Sequence, residues 1–351
     1  MNSVGGNSVG SSSVGMLRLA ALRLVGPRCA TPADAVAVLG AAQGQDLPGV
    51  LESIALRTSS GDVGEARQAF DDGLVVRSWP MRRTLHVVPA RDLAWMLPLA
   101  TARPLAEAAK RRTQFGLADE TVERAGEVAR EALAGGGRLT RAELAQRWAD
   151  AGLALESSHV THTISVLAMH GVLAYGPFVT SKETQRSGAR PSSPEQGLVL
   201  LDDWVPEPRT LDREEALAEW ARTYFTGHGP ARRQDFARWT GLPAADVRTA
   251  IDGAREHLVS DGAGMFLDPA TPERLESATD PGGELLLPGF DEFVLGYGER
   301  AEILDAEHAD RIVPGGNGVF RPTIVRDGRV VGCWKWAGTG KNRRVERELF
   351  G

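Results

Sequence analysis

The 351-residue sequence predicts an α+β protein built of several modules in tandem. Three observations carry that expectation. Helical segments come in groups of three, and each group is followed by short extended runs. Two groups carry loosely similar strings, "ELAQRW" and "DFARW", at the same place. From 281 onward, extended runs and hairpin signals dominate.

The first fifteen residues, "MNSVGGNSVGSSSVG", repeat Ser-Val-Gly and have no face to bury. They are expected to be a tail outside the fold, with Met16 as the better start. The first module is expected over 16–118. In it, "TPADAVAVLGAAQ" reads as a helix with Thr31 as cap and Pro32 in its first turn. "DVGEARQAFDDG" reads as a second helix, and "LVVRSW" and "RRTLHVVP" as strands.

The second module, 119–210, is the most regular. "ERAGEVAREALAG" is helical and stops at Gly135-Gly136-Gly137. In "LTRAELAQRWADAG", Thr140 and Glu143 form a capping box, and Leu144 and Trp148 share a face. "SSHVTHTISVLAMHGVLAYG" opens on capping serines, stripes Val160, Ile164, Leu167 and Ala168 along one side, and breaks at Gly171. "VLAYGPFV" and "LVLLDDW" are extended. Three helices followed by strands is the order of a winged helix, and the polar segment 181–197 between the strands would be its wing. The third module, 211–280, repeats the order: "DREEALAEWARTYFTGHG", "PARRQDFARWTG" started by Pro230, "PAADVRTAIDGA", then a hairpin around Asp261-Gly262. The β-rich region 281–351 holds "ELLLPGFDEFVLGY" and an Asp327-Gly328 hairpin. The architecture expected is three winged-helix units and a β-rich end.

Composition is ordinary for a globular protein, with 42% hydrophobic and 25% charged residues. No apolar run approaches the ~20 residues that span a bilayer, so no membrane partner is expected. Cys29 and Cys333 lie far apart without ligand spacing. This argues against a disulfide framework or zinc site and for a cytoplasmic setting. Net charge is −6, yet basic residues cluster. Arg77, Arg82, Arg83, Arg91, Arg103, Lys110, Arg111 and Arg112 face only Asp92 and Glu107 over 77–112. A second cluster, containing Arg321 and Arg326, fills 321–351. A basic cleft on an acidic body would suit phosphates, for which arginine is the better planar partner. Solvated surface charge is the plainer alternative.

No phosphate loop, dinucleotide fingerprint or nucleophile elbow is present. His159 and His162 lack accompanying carboxylates or thiols, so no metal and no cofactor are expected. Asp202-Asp203 reads as loop solvation. His86 could meet a phosphate or sit half-buried in its strand. "QGQDLPG" stands out: Gln43 and Gln45 flank Gly44 just before a Pro48-Gly49 turn. A glutamine amide is neither base nor nucleophile, but it can orient a water. In a helix, residues i and i+2 point ~200° apart. For both amides to serve one water, the backbone at 43–45 must leave the helix. The plainer reading is a polar helix end with two solvated amides.

"QGQDLPG" resembles the paired-glutamine motif of the AlkZ-like winged-helix DNA glycosylases. So do "RRTLHVVPARDL" (82–93), "YFTGHGPARRQDFARWTGL" (224–242), "LLPGFDEFVLGYGER" (286–300) and "GNGVFRPTIVRDGRVVGCW" (316–334), in the family's order. The resemblance implies an enzyme that excises N3- or N7-alkylated purines and unhooks interstrand crosslinks, in base excision repair or in self-resistance to a genotoxic natural product. It implies Gln43 and Gln45 as catalytic residues. Arg82, Arg83, His86, Arg321 and Arg326 are the expected DNA-binding residues, in a C-shaped groove holding double-stranded DNA. A monomer is expected. Gly44 departs from the family, which more often has an apolar residue there. Glycine removes a side-chain anchor and loosens the backbone.

Cationic alkylpurines already leave readily, so placing a water at the anomeric carbon is the remaining task. Only four lysines occur and none lies in the motif, which implies a monofunctional enzyme without a Schiff base. Two other classes remain open: a non-enzymatic winged-helix transcription regulator and a protein that sequesters the toxin itself. The plainer alternative to a phosphate role for Arg82, Arg83 and Arg321 is pairing with Asp291, Glu292 or Glu299, holding the units together.

Overall fold

The computed structural model describes residues 13–179, 195–279, 282–338 and 340–351, without the Lys341 side chain. The wing expected at 181–197 lies almost wholly outside them. Two compact units emerge. One comprises residues 1–40, 52–61 and 217–351; the other comprises 41–51 and 62–216.

The chain starts in the first unit. Helix α1 (Val14–Ala21) is capped by Ser13, whose hydroxyl accepts from the Met16 N–H. The helix thus begins ahead of Met16. A Cβ on Gly15 would lie 2.0 Å from the Gly328 carbonyl oxygen, so the end of the Ser-Val-Gly tract is packed and needs its glycine. Helix α2 (Pro32–Leu39) carries the Thr31–Asp34 capping box and ends at Gly40 in positive φ.

The second unit is built on a five-stranded sheet of order β1-β3-β2-β4-β5. Its strands are β1 (Ala42–Gln43), β2 (Val75–Met81), β3 (Thr84–Pro89), β4 (Leu173–Val179) and β5 (Glu195–Leu200). Strands expected for the first and second modules therefore join one antiparallel sheet. Helix α3 (Leu47–Ala55) follows the glutamines at once. The Pro48-Gly49 turn expected from sequence is instead its first turn, where proline loses no helical hydrogen bond. Helices α4 (Val63–Asp71), α5 (Leu93–Ala100) and α6 (Ala102–Phe115) precede the regular trio α7 (Asp119–Leu133), α8 (Arg141–Asp150) and α9 (Ser157–Met169). Thr140 and Glu143 cap α8 reciprocally. Glu156, not a serine, holds the cap position of α9. Leu144, Trp148, Val160, Ile164 and Leu167 form one core with Trp79 of β2. Burying such side chains contributes roughly 1.5–3 kcal/mol each.

The first unit returns within helix Arg213–His228, from Leu217 onward. The expected helix from Pro230 starts later, at Arg233, because Ala231–Arg232 form strand β6. Its cap bonds run between Arg232 and Asp235, and Gly241 ends it. Helix Ala244–Ala254 and the hairpin β7 (Val259–Ser260) and β8 (Met265–Leu267) complete a small β6-β8-β7 sheet. A four-stranded sheet closes the chain, in order β12-β11-β10-β9. It comprises β9 (Leu285–Leu287), β10 (Thr323–Arg326), β11 (Arg329–Ala337) and β12 (Arg344–Leu349). The extended pattern expected through "FDEFVLGY" is broken: Asp291 caps a helical turn, Glu292–Leu295.

Candidate active site

Strand β1 pairs with β3, with Ala42 opposite Val87 and Gln43 opposite His86. The Gly44 N–H donates to the Leu85 carbonyl at 2.8 Å, which extends the pairing by one residue. The backbone at 43–45 is therefore extended, and in extended chain residues i and i+2 share a face. Gln43 Nε2 donates to Gln45 Oε1 at 2.8 Å. Gln43 is 8% exposed, while Gln45 is open to solvent.

Gly44 is not loose. Its carbonyl accepts from Arg77 Nη1 at 2.9 Å. A Cβ added there would meet Arg77 Cδ at 3.1 Å and Cγ at 3.2 Å. The missing side chain makes room for the arginine stem, which locks the strand in place of an apolar anchor. Arg77 also lies over the Tyr175 ring, 4.7 Å from its centroid. Burial pulls its pKa down to about 10, so it is charged at neutral pH. Sequence reasoning saw Arg77 only as one charge in a cluster. The signal was there: an arginine inside the apolar run "LVVRSW".

Arg82 and Arg83 form the two-residue turn between β2 and β3, not strand as the sequence suggested. Their φ angles are 53° and 59°. Two successive left-handed residues make the mirror-image turn that hairpins prefer, which normally recruits Asn-Gly. Side chains with a Cβ are strained there, and such strain collects at functional sites. Arg82 Nη2 lies 3.1 Å from His86 Nε2, and His86 Nδ1 lies 2.9 Å from the Thr84 carbonyl oxygen. If that Nδ1 carries the proton, Nε2 accepts from Arg82; this tautomer follows from the partners. His86 is fully buried, which corrects the half-buried expectation and removes it from direct phosphate contact. It props Arg82. Arg83 donates to Glu107, which Arg103 also holds, and these hydrogen bonds keep the Glu107 carboxyl below its usual range.

Beside Gln45 lies a pocket of about 480 Å³. Trp79, Leu85 and Phe115 wall it, with Arg83, Arg111 and His162 also lining it. His162 and His159 pack against the Phe115 ring. Among the described residues, no group of three or more His, Cys, Asp or Glu side chains could hold a metal ion.

In the other unit, Arg321 pairs with Glu348 at 3.1 Å and Arg326 with Glu284 at 2.6 Å. Asp291, Glu292 and Glu299 are not their partners. Asp291 instead takes a two-pronged bond from buried Arg57, at 2.9 Å on each oxygen, and one from Ser53. Burial pushes its carboxyl up, but the Arg57 charge and the hydrogen bonds outweigh this and hold it below the usual range. Glu292 accepts from Trp239 Nε1.

The family model described as DNA glycosylase AlkZ-like matches residues 36–351. The chain belongs to this family. Its activity is accordingly that of a DNA glycosylase, an enzyme of DNA repair that hydrolyses N-glycosyl bonds. An interstrand DNA cross-link repair glycosylase of Streptomyces sahachiroi is 26% identical over 294 residues, covering 81% of this chain and 76% of the relative. The solved structure of the Streptomyces sahachiroi DNA glycosylase AlkZ superposes with a TM-score of 0.73 at 23% identity, covering 96% of this chain and 90% of the other. That likeness establishes an AlkZ-like mixed helix-and-sheet fold. No helix among the described residues is long and apolar enough to cross a membrane.

Proposed function

We propose that this AlkZ-like glycosylase removes N3- or N7-alkylated purines from duplex DNA and unhooks crosslinks through such bases, with Gln43 and Gln45 placing the attacking water. The observation that carries the reading is the 2.8 Å bond between the two amides, on one side of an extended strand at the rim of a pocket. That bond uses one lone pair of Gln45 Oε1. Gln45 keeps its amide hydrogens and a second lone pair to offer a water. An amide cannot take up the water's proton at neutral pH, so an unmodified, poorly leaving base should be left alone. Alkylation supplies the leaving-group activation that the site lacks.

The left-handed arginine turn and the basic segments with Arg321 and Arg326 would take phosphates. Their ion pairs lie at the surface, where water screens them, so a phosphate can displace the carboxylates. His86 enters this reading as the support of Arg82. The sequence boundaries, three winged-helix units in a C-shaped groove around the duplex, belong to the same proposal, as do a monomeric cytoplasmic enzyme and a role in self-resistance to a natural product. The Streptomyces sahachiroi relative's name supports the crosslink substrate.

No lysine lines the pocket beside Gln45. A Schiff base with the sugar therefore has no donor at this wall, and the enzyme should be monofunctional. The test is a duplex with one N7-methylguanine. Wild-type protein should leave intact abasic sites, and borohydride should trap no protein–DNA adduct. Specific duplex binding without base release would instead support a regulator. A trapped adduct would refute the monofunctional assignment.

A further inference from the structure

The pocket beside Gln45 is larger than water placement requires. Its volume of about 480 Å³ falls within the ~300–1,000 Å³ typical of small-molecule sites. It is made wholly by one unit: Gln45 just after β1, the β2–β3 hairpin, α6 and α9. Its aromatic walls, Trp79 and Phe115, suit a planar group.

Its charge argues about the occupant. Arg111 lines it, as does Arg83 despite its pairing with Glu107 outside the lining, and no carboxylate lines it. A cationic alkylpurine would therefore be repelled from its interior. His162 supports the same point: burial and then Arg112, Arg111 and Arg83 bring its pKa down to about 4, so the imidazole is neutral at physiological pH. The residue is 8% exposed, and its buried Nε2 has no hydrogen-bond partner. A buried ring nitrogen without a partner is costly, and a ligand that hydrogen-bonds to it would remove the cost.

We infer that this pocket is a docking subsite for the uncharged, planar aromatic part of a bulky adduct, stacked against Trp79 and Phe115 and hydrogen-bonded to His162 Nε2. The cationic purine would stay at the rim, where Gln45 faces the scissile bond. This rests on the glycosylase reading of Gln43 and Gln45 and adds a source of selectivity to it. Small adducts would react without the pocket. Bulky aromatic ones would be aligned by it.

The test uses two duplexes, one with N7-methylguanine and one with N7-(hydroxynaphthylmethyl)guanine. Single-turnover base release is measured for wild type, Ser165→Trp, which fills the pocket from α9, and His162→Phe, which keeps a ring but removes its nitrogens. Both variants should release the methylated base within about twofold of wild type and lose roughly tenfold or more on the naphthyl adduct. Melting curves check folding; if Ser165→Trp is unstable, His162→Phe decides. Equal losses on both substrates would make the pocket merely structural, and unchanged naphthyl release would remove the docking role. Wild type that releases only the methylated base would also overturn the subsite while leaving the glycosylase reading intact. Wild type that releases neither base would overturn both.

Discussion

Gly44 shows how a single missing side chain fixes a site. By composition it would loosen the strand between the two amides. In the fold both its backbone groups are bonded, to Leu85 and to Arg77, and the arginine stem occupies the space its Cβ would need. Introducing the apolar residue more usual in the family should therefore conflict with Arg77. Gly44→Leu should cost ~1–3 kcal/mol as overpacking, measured by urea unfolding. Arg77→Ala should be costly alone, since it strips the Gly44 carbonyl and the Tyr175 face of their partner. The double variant should be better than the sum of the two by at least about 1 kcal/mol, because the cavity of one accepts the side chain of the other. Additive losses would mean that Arg77 and position 44 do not share that space.

At the scale of elements, the proposed phosphate role of the Arg82–Arg83 turn would set function against stability. Asn-Gly is the pair this turn prefers. Replacing Arg83 by glycine, which keeps the Arg82–His86 contact, should raise thermal stability by ~1 kcal/mol, through relief of left-handed strain. It should also weaken binding to damaged and undamaged duplex alike. The slope of log affinity against log salt should fall by about one for each phosphate no longer neutralised. Greater stability with unchanged DNA affinity would show that the strained Arg83 does not hold the DNA backbone. Much of the secondary structure was legible: capping residues, glycine stops and the Leu144–Trp148 stripe placed α7, α8 and α9, because those signals are local. The turn was not, since arginine has no preference for left-handed backbone and only the strand register demands it. The pairing of β1 with β3 was equally hidden. Two-residue strands have no periodicity, and the partner lies about forty residues on. The gap at 43–45 in the helical pattern was visible; what filled it depended on a distant strand.

At the scale of the molecule, the buried Arg57–Asp291 pair joins the segment 52–61 to the C-terminal part of its unit. Asp291→Ala should cost ~3–5 kcal/mol, because Arg57 would be left buried without its counter-charge. The pH sign follows from the depressed carboxyl. Asp291 contributes stability at pH above the ordinary aspartate range and loses that contribution as pH falls through the folded-state value. The acid limb of a stability–pH curve should therefore flatten in Asp291→Ala. An unchanged limb would show that other carboxylates carry it. The motif "LLPGFDEF" thus includes a structural acid and explains why Asp291 and Glu292 do not serve the surface arginines.

The proposed water-placing role of the amide pair is tested most directly by single-turnover release of N7-methylguanine by the Gln43→Ala/Gln45→Ala protein. With folding verified by melting, release is expected to fall by about 10²-fold or more, the scale of losing a group that places the reacting water. Wild-type release from a folded double variant would contradict the central claim.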